Sequence, residues 1–382
     1  MSICLKQVPA CSMTNMDYIY NETWNNTTIN ALSSSFTGLQ LLMDLKPLFI
    51  PLYAMLVLVA VSGNLLLLIF IGLNKKLHST TNFLIGNLAL VDLVMCLSCV
   101  PLTAFYAFNE RGWIFGRFMC HFVTLMQTAT VFAAVLSLTA IAVDRYVVVA
   151  YPIRRRGGKC FCTCLVFSIW LCALAMSTPT ALHTVYLDLS AAGHEMIICE
   201  EFWTEQELGR LIYSCFFLVL SYFVPLAAVS ISYCAISYHL QHRATPRLMA
   251  STPSNQEKWG RRRRKTFRLL LVSVLSFAFS WLPLQVVNLI RDLDTDFAIL
   301  NKNHVNVVQV SCHLLAMSSA CYNPFIYASL HNKFLLYLCQ NIFQRRPHHT
   351  QNSLTTSSRM IRVRTSSTLA DIPRAMSKIS QD

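Results

Sequence analysis

The chain has 382 residues, of which 54% are hydrophobic and only 13% charged, with a mean hydropathy of +0.47. A soluble domain of ordinary composition carries about 25% charged residues, so this deficit excludes a water-facing globule and points to a surface in contact with lipid. The net charge of +13 raises nucleic-acid binding as a class, but the bases fall in short segments between apolar runs. That is the pattern of membrane topology, and no nucleic acid is expected among the partners.

In chain order, residues 1–46 form a polar amino-terminal tail that lacks the apolar core and small-residue cleavage site of a secretory signal. Seven apolar stretches follow, at roughly 47–73, 82–108, 116–149, 162–184, 209–239, 265–290 and 304–328. Each reaches the roughly 20 residues needed to cross a hydrocarbon core of about 30 Å. The predicted fold is therefore an all-α membrane protein, a seven-transmembrane bundle over residues 47–328, with the first span as an uncleaved anchor. Residues 329–343 follow it, and His331 to Phe343 reads as a short amphipathic helix at the inner membrane face, with Phe334, Leu335, Leu338 and Phe343 on one side. Cys339 within it is a candidate S-palmitoylation site, an unmodified thiol being the alternative. Residues 344–382, rich in serine, threonine and arginine and poor in aromatics, read as a disordered cytoplasmic tail. No internal repeat is visible.

Loop charge sets the orientation. Lys75 and Lys76 follow span 1, Arg154 to Arg156 and Lys159 follow span 3, and Arg243, Arg247, Lys258 and the run Arg261 to Lys265 follow span 5. That run reads as a helix extension meeting anionic lipid or an acidic partner, in preference to a nuclear signal. The opposite loops are acidic, with Glu195, Glu200 and Glu201 after span 4 and Asp292, Asp294 and Asp296 after span 6. The amino terminus is thus expected outside the plasma membrane and the carboxyl terminus in the cytoplasm. Sequons at Asn21, Asn25 and Asn26 cluster on the outer side as candidate glycosylation sites. Cys120, which opens span 3, and Cys199, in the acidic outer loop, share that oxidising side. A bond between them would pin the loop over the bundle, and two free thiols are the alternative. The pairing of Cys4 and Cys11 is open.

Arg145 lies 25 residues beyond Cys120, or roughly 38 Å along a helix, which puts Asp144-Arg145-Tyr146 at the inner rim. A charge there is expensive. Asp144 can hold the guanidinium in an off state, and once freed it could reach carbonyls of an inserted partner helix. Alone, the pair also reads as snorkelling charges at the membrane edge. Asp92 is a lone mid-span acid that needs a partner, a proton or an ion. Pro225, Pro283 and Pro324 each remove a helix hydrogen bond and permit a kink. Beside Asp144-Arg145-Tyr146 in span 3, each of the other spans carries a mark: Gly63-Asn64, Leu88-Ala89-Leu90-Val91-Asp92, Trp170, Pro225, Phe277 with Trp281-Leu282-Pro283, and Asn323-Pro324-Phe325-Ile326-Tyr327.

Taken together these motifs resemble the rhodopsin-like (class A) G-protein-coupled receptors over residues 47–343. The resemblance implies a receptor that signals through heterotrimeric G proteins and is recognised by receptor kinases and arrestin. It gives Asn64, Ser319 and Asn323 as neighbours of Asp92, around a sodium ion acting as allosteric modulator; Ala134 stands where relatives often have serine. It also implies a relay in which ligand pressure on Trp281 passes to Phe277, packed against Pro225 and Val135, swings span 6 outward and turns Tyr327 toward Arg145. No zinc-protease motif or paired intramembrane aspartates appear, so no enzyme is expected. A transporter would favour inverted repeats and broken helices, and a channel would favour polar rings.

Gln127, two turns below Cys120, is neutral, which argues against a small amine; no lysine lies between Asn303 and Tyr327 for a retinal Schiff base. The acids Glu200, Glu201, Asp292 and Asp294 suit a cationic ligand, because a carboxylate pairs bidentately with an arginine fork. Thr81 to Asn87, Cys99 to Thr103, Arg111-Gly112-Trp113, Cys199-Glu200-Glu201-Phe202-Trp203, Arg291 to Asp294 and Ala316 to Tyr322 are arranged as in the prolactin-releasing peptide receptors. That narrower resemblance implies an Arg-Phe-amide peptide ligand, with Glu201 or Asp292 for its arginine and Gln127 and Trp203 near its amidated end. A neuropeptide Y or neuropeptide FF type receptor is the alternative.

Overall fold

The structure, a computed structural model, describes residues 37–74, 79–151, 157–190, 195–203, 207–244, 253–293 and 303–330. A short helix, Thr37–Asp44, precedes span 1 at Lys46–Leu73. Span 2 covers Thr80–Ala107, span 3 Gly116–Ala150, span 4 Lys159–Leu182, span 6 Pro253–Leu293 and span 7 Val305–Leu330. Span 5 runs through Glu207–Leu218, Val219–Phe223 and Val224–Ala244. The result is a seven-helix bundle, as expected. The sequence places the start of span 6 at residue 265; the helix begins at Pro253 instead. Proline suits a first helical turn, and the Gln, Glu, Lys and Arg residues after it are good helix formers, so the helix runs on past the membrane edge. The amphipathic segment 331–343 lies outside the described residues.

Six of these helices are long and apolar enough to cross a membrane by length and composition. Span 7 falls short because Asn306, Gln309, His313 and Ser319 dilute it; all four are buried in the bundle. Leu315 and Phe325, at 43% and 59% exposure, face outward. Polarity is therefore turned inward, which is what a lipid solvent selects. Ala60, Ala133, Ala142, Ala316 and Ala320 are fully buried, and such small residues let helices approach closely. Gly63 is a close contact of the same kind: a Cβ there would meet the Pro324 ring at 2.9 Å.

Pro225 does not simply kink span 5. It follows a π-helical turn, Val219–Phe223, and Pro101 in span 2 likewise follows Met95–Cys99. The wider turn takes up the carbonyl that each proline ring would otherwise strike. Buried amides tie the spans together. Asn87 donates to Ser137 Oγ at 2.8 Å and accepts from Trp170 Nε1 at 3.0 Å, joining spans 2, 3 and 4. Asn64 donates to the carbonyls of Ala60 and Ala320, both at 2.9 Å, joining span 1 to span 7.

The outer loop after span 4 is an antiparallel hairpin, β1 at Thr184–Asp188 and β2 at Ile197–Glu201, with Thr184 opposite Glu201 and Asp188 opposite Ile197. A disulfide joins Cys199 to Cys120, with the two Cα atoms 5.8 Å apart. On the other side, Trp113 N–H donates to Ile197 C=O at 2.8 Å and Ile197 N–H to Arg111 C=O at 3.0 Å. Gly112, at φ 68°, makes this clasp possible: a Cβ there would sit 2.2 Å from the Ile197 oxygen. The hairpin is thus anchored above the helices through β2, by the Cys199 side chain and by the strand edge away from β1.

Candidate functional site

Beneath the hairpin lies a cavity of about 180 Å³, walled by β2, Trp113 and residues of spans 2 to 7. Two of the predicted acids reach it, Glu201 and Asp292. Glu200 does not; it is buried, 3.5 Å from the Tyr106 hydroxyl that donates to it. Successive strand residues point to opposite faces, so Cys199 and Glu201 face the cavity and Glu200 turns away. Asp294 lies outside the described residues, as do Asn21, Asn25, Asn26 and Cys339.

Glu201 accepts a hydrogen bond from Trp203 Nε1. Burial pushes its carboxyl above the usual carboxylate range, with Asp292 adding to the rise, against the opposing pull of the Trp203 N–H and the Arg210 charge. Trp203 does not line the cavity. Its ring lies flat on His183, with centroids 3.7 Å apart, so one of its faces is already covered. Asp292 is engaged from span 5: Arg210 Nη2 is 2.5 Å from Oδ1, and Ser214 Oγ donates to Oδ2 at 3.0 Å. The side chains of Arg210 and Asp292 are 21% and 6% exposed.

The floor is neutral. Gln127 Nε2 is 3.2 Å from His313 Nε2, His313 Nδ1 is 2.8 Å from the Tyr53 hydroxyl, and that hydroxyl donates to Val310 C=O at 3.2 Å. One tautomer satisfies all three contacts. Tyr53 spends its single proton on Val310, so it accepts from Nδ1–H, and Nε2 is left to accept from the Gln127 amide. Spans 1, 3 and 7 are thereby wired together under the cavity.

Below the floor, Trp281 borders the cavity and stacks on Phe277 at 5.8 Å. It donates to Ser319 Oγ at 3.1 Å. Asn323 donates to Asp92 Oδ2 at 2.7 Å. A small cavity of about 10 Å³ touches Asp92, Ala134, Ser319 and Asn323. Carboxylate, hydroxyl and amide oxygens are the donors a hard cation takes, so this set fits sodium, with the methyl of Ala134 closing one side. Asn64 is not in that wall; its Nδ2 donates to two backbone carbonyls, while its Oδ1 is buried without a hydrogen-bond partner.

At the inner end, Arg145 Nη2 is 3.1 Å from Asp144 Oδ2, and the Thr81 hydroxyl donates to the same oxygen. A cavity of about 50 Å³ opens there between Thr81, Arg145, Leu270, Asn323 and Tyr327. Tyr146 beside the pair is half-buried. Pro283 and Pro324 lie inside their helices, one in span 6 and one in span 7.

Sequence reasoning passed over Arg210, Ser214, His313 and Tyr53. Two of them carried a signal. Arg210 is a charge inside predicted span 5, and His313 is a titratable group in span 7; groups of this kind need partners in a membrane.

Residues 63–327 match the family model of the 7 transmembrane receptor (rhodopsin family). Among similar proteins, neuropeptide Y receptor type 4 of Rattus norvegicus is 31% identical over 80% of this chain and 82% of its own length. The substance-K receptor of Homo sapiens is 33% identical over 74% of this chain and 69% of its own length. The neuropeptide F receptor of Drosophila melanogaster is 31% identical over 75% of this chain and 60% of its own.

Proposed function

The chain belongs to the rhodopsin family of seven-transmembrane receptors, and on that premise we propose that it is a G-protein-coupled receptor for an Arg-Phe-amide neuropeptide of the prolactin-releasing type. The observation that carries this reading is the polarity of one cavity. Two half-buried carboxylates, Glu201 and Asp292, line its outer part, and a neutral donor–acceptor pair, Gln127 and His313, forms its floor. A guanidinium pairs with the first. A carboxamide, which donates and accepts but carries no charge, suits the second better than a carboxylate would.

A neuropeptide Y type ligand is the second reading, supported by similarity to receptors of that name at about 31% identity. Intracellular calcium and cyclase activity, measured in cells expressing the chain, separate the two. Prolactin-releasing peptide, amidated and as free acid, would be compared with Arg-Tyr-amide peptides. Response to the amidated Arg-Phe form alone is expected; response to the Arg-Tyr forms alone would transfer the assignment.

A disulfide at the hairpin suits an oxidising side, which supports an extracellular amino terminus, use of the sequons at Asn21, Asn25 and Asn26, and a cytoplasmic end bearing Arg145 and Cys339. Coupling to a G protein would run through the cavity beside Arg145, with kinase and arrestin recognition on the tail at 344–382. Asp92, Ser319 and Asn323 would hold sodium, which supplies a positive charge that favours one helix arrangement over another.

A further inference from the structure

The charged residues lining the outer cavity are two acids and two bases: Glu201 and Asp292, Arg210 and Arg291. Among the described residues the cavity wall is therefore neutral as built, not the acidic funnel that loop composition suggests. Arg210 accounts for most of this at Asp292. Its guanidinium lies 2.5 Å from one carboxylate oxygen while Ser214, one helical turn along span 5, donates to the other. Asp292 is dressed by the protein's own side chains in the way an incoming peptide arginine would dress it. Two guanidinium groups crowded on one carboxylate repel each other, more strongly at a partly buried pair such as this than in bulk water. An arriving arginine must therefore exchange with the resident one. Glu201, the other acid within the field of Arg210, is the acceptor nearest in charge for the displaced group.

We propose that Arg210 is a resident counter-ion of the ligand site: the guanidinium of a cationic ligand binds Asp292 by displacing that of Arg210, so Arg210 sets affinity and selects for arginine in the ligand. This inference rests on the reading of the cavity as a site for an arginine-bearing peptide.

The test uses the full-length receptor purified in detergent and L-argininamide as the guanidinium probe, with the rise of melting temperature against probe concentration as the readout. The R210Q variant removes the resident charge. R210M repeats the measurement with the length of the stem preserved, and R210K keeps a cation in place. Close charge pairs in binding sites couple by about 1.5 kcal/mol or more, so argininamide should bind R210Q and R210M about tenfold more tightly than wild type or R210K. The gain should vanish in R210Q/D292N. In parallel, a fluorescent Arg-Phe-amide peptide should bind R210Q more tightly by a similar factor, and its citrulline analogue should not.

Three results would overturn the exchange: unchanged argininamide affinity in both neutral variants, weaker affinity in both (which would make Arg210 a support that holds Asp292 in place), or tighter argininamide binding without tighter binding of a peptide that does bind wild type. If no Arg-Phe-amide peptide binds either wild type or R210Q, the assigned ligand class fails, and the argininamide comparison alone decides the exchange.

Discussion

At the residue scale, the raised carboxyl of Glu201 should tie pH to stability and, for the proposed ligand, to binding with the opposite sign. Burial raises its carboxyl above the usual range, so protonation sets in at a higher pH than for a surface glutamate. A cationic peptide needs the charged form. Its affinity should fall as pH drops through the raised value, while E201Q binds weakly and loses this pH dependence; radioligand binding across pH checks both. Stability runs the other way. A raised value means that the ionised form is disfavoured in the folded state, so stability is fully present below the unfolded value and declines as pH rises through the folded one. E201Q should accordingly melt higher than wild type in ligand-free receptor at neutral pH. His313 is tested through its hydrogen bonds. H313L leaves the Gln127 amide and the Tyr53 hydroxyl without their shared ring, and a buried group deprived of its partner costs about 1–3 kcal/mol. A lower melting temperature and a smaller preference for amidated over free-acid peptide are expected; an unchanged preference would remove the Gln127–His313 floor from amide recognition.

At the element scale, spans 1 and 7 meet at Gly63 and Pro324. The rigid proline ring cannot yield to a Cβ at 2.9 Å, and overpacking a tight contact costs about 1–3 kcal/mol. G63V should separate the two helices, strain the Asn64–Ala320 hydrogen bond, and lower both melting temperature and surface amount relative to wild type. Equal values would mean that the contact is slack. The helices were legible in the sequence because lipid demands long apolar runs, and the bundle follows from seven of them. The hairpin was not, because its five-residue strands mix polar and apolar side chains inside a loop read only for charge. Yet a clue to its facing was present. Cys199 must look toward Cys120, and the two-residue period of a strand then sends Glu201 to the same side and Glu200 away. Arg210 was hidden for another reason: its partner, Asp292, is on a different helix 82 positions later, and only packing reveals which acid an isolated arginine meets.

At the scale of the whole molecule, the outer cavity and the inner rim are joined by contacts that leave little slack. Trp281 stacks on Phe277 and bonds Ser319 in span 7; Asn323, one turn further along that span, bonds Asp92; and Asn323 also borders the inner cavity that holds Arg145 and Tyr327. A shift of span 6 or span 7 at the outer end has a route to the rim. At the rim, Asp144 Oδ2 lies 3.1 Å from Arg145 Nη2 and also accepts from the Thr81 hydroxyl, and in the proposed receptor this pair would hold the rim closed. The Thr81 bond orients the carboxylate toward span 2, and hydrogen bonds to charged groups contribute about 1.5–3 kcal/mol. T81V keeps the shape of the side chain and removes the donor. Asp144 is then freer to turn, Arg145 is released more often, and the ratio of open to closed receptor should rise about tenfold, the factor that corresponds to roughly 1.4 kcal/mol. The measurable consequence is higher ligand-independent G-protein signalling at matched surface expression. T81S, which restores the hydroxyl, should sit near wild type. Basal signalling that is the same in T81V, T81S and wild type would show that Asp144 holds Arg145 without help from span 2.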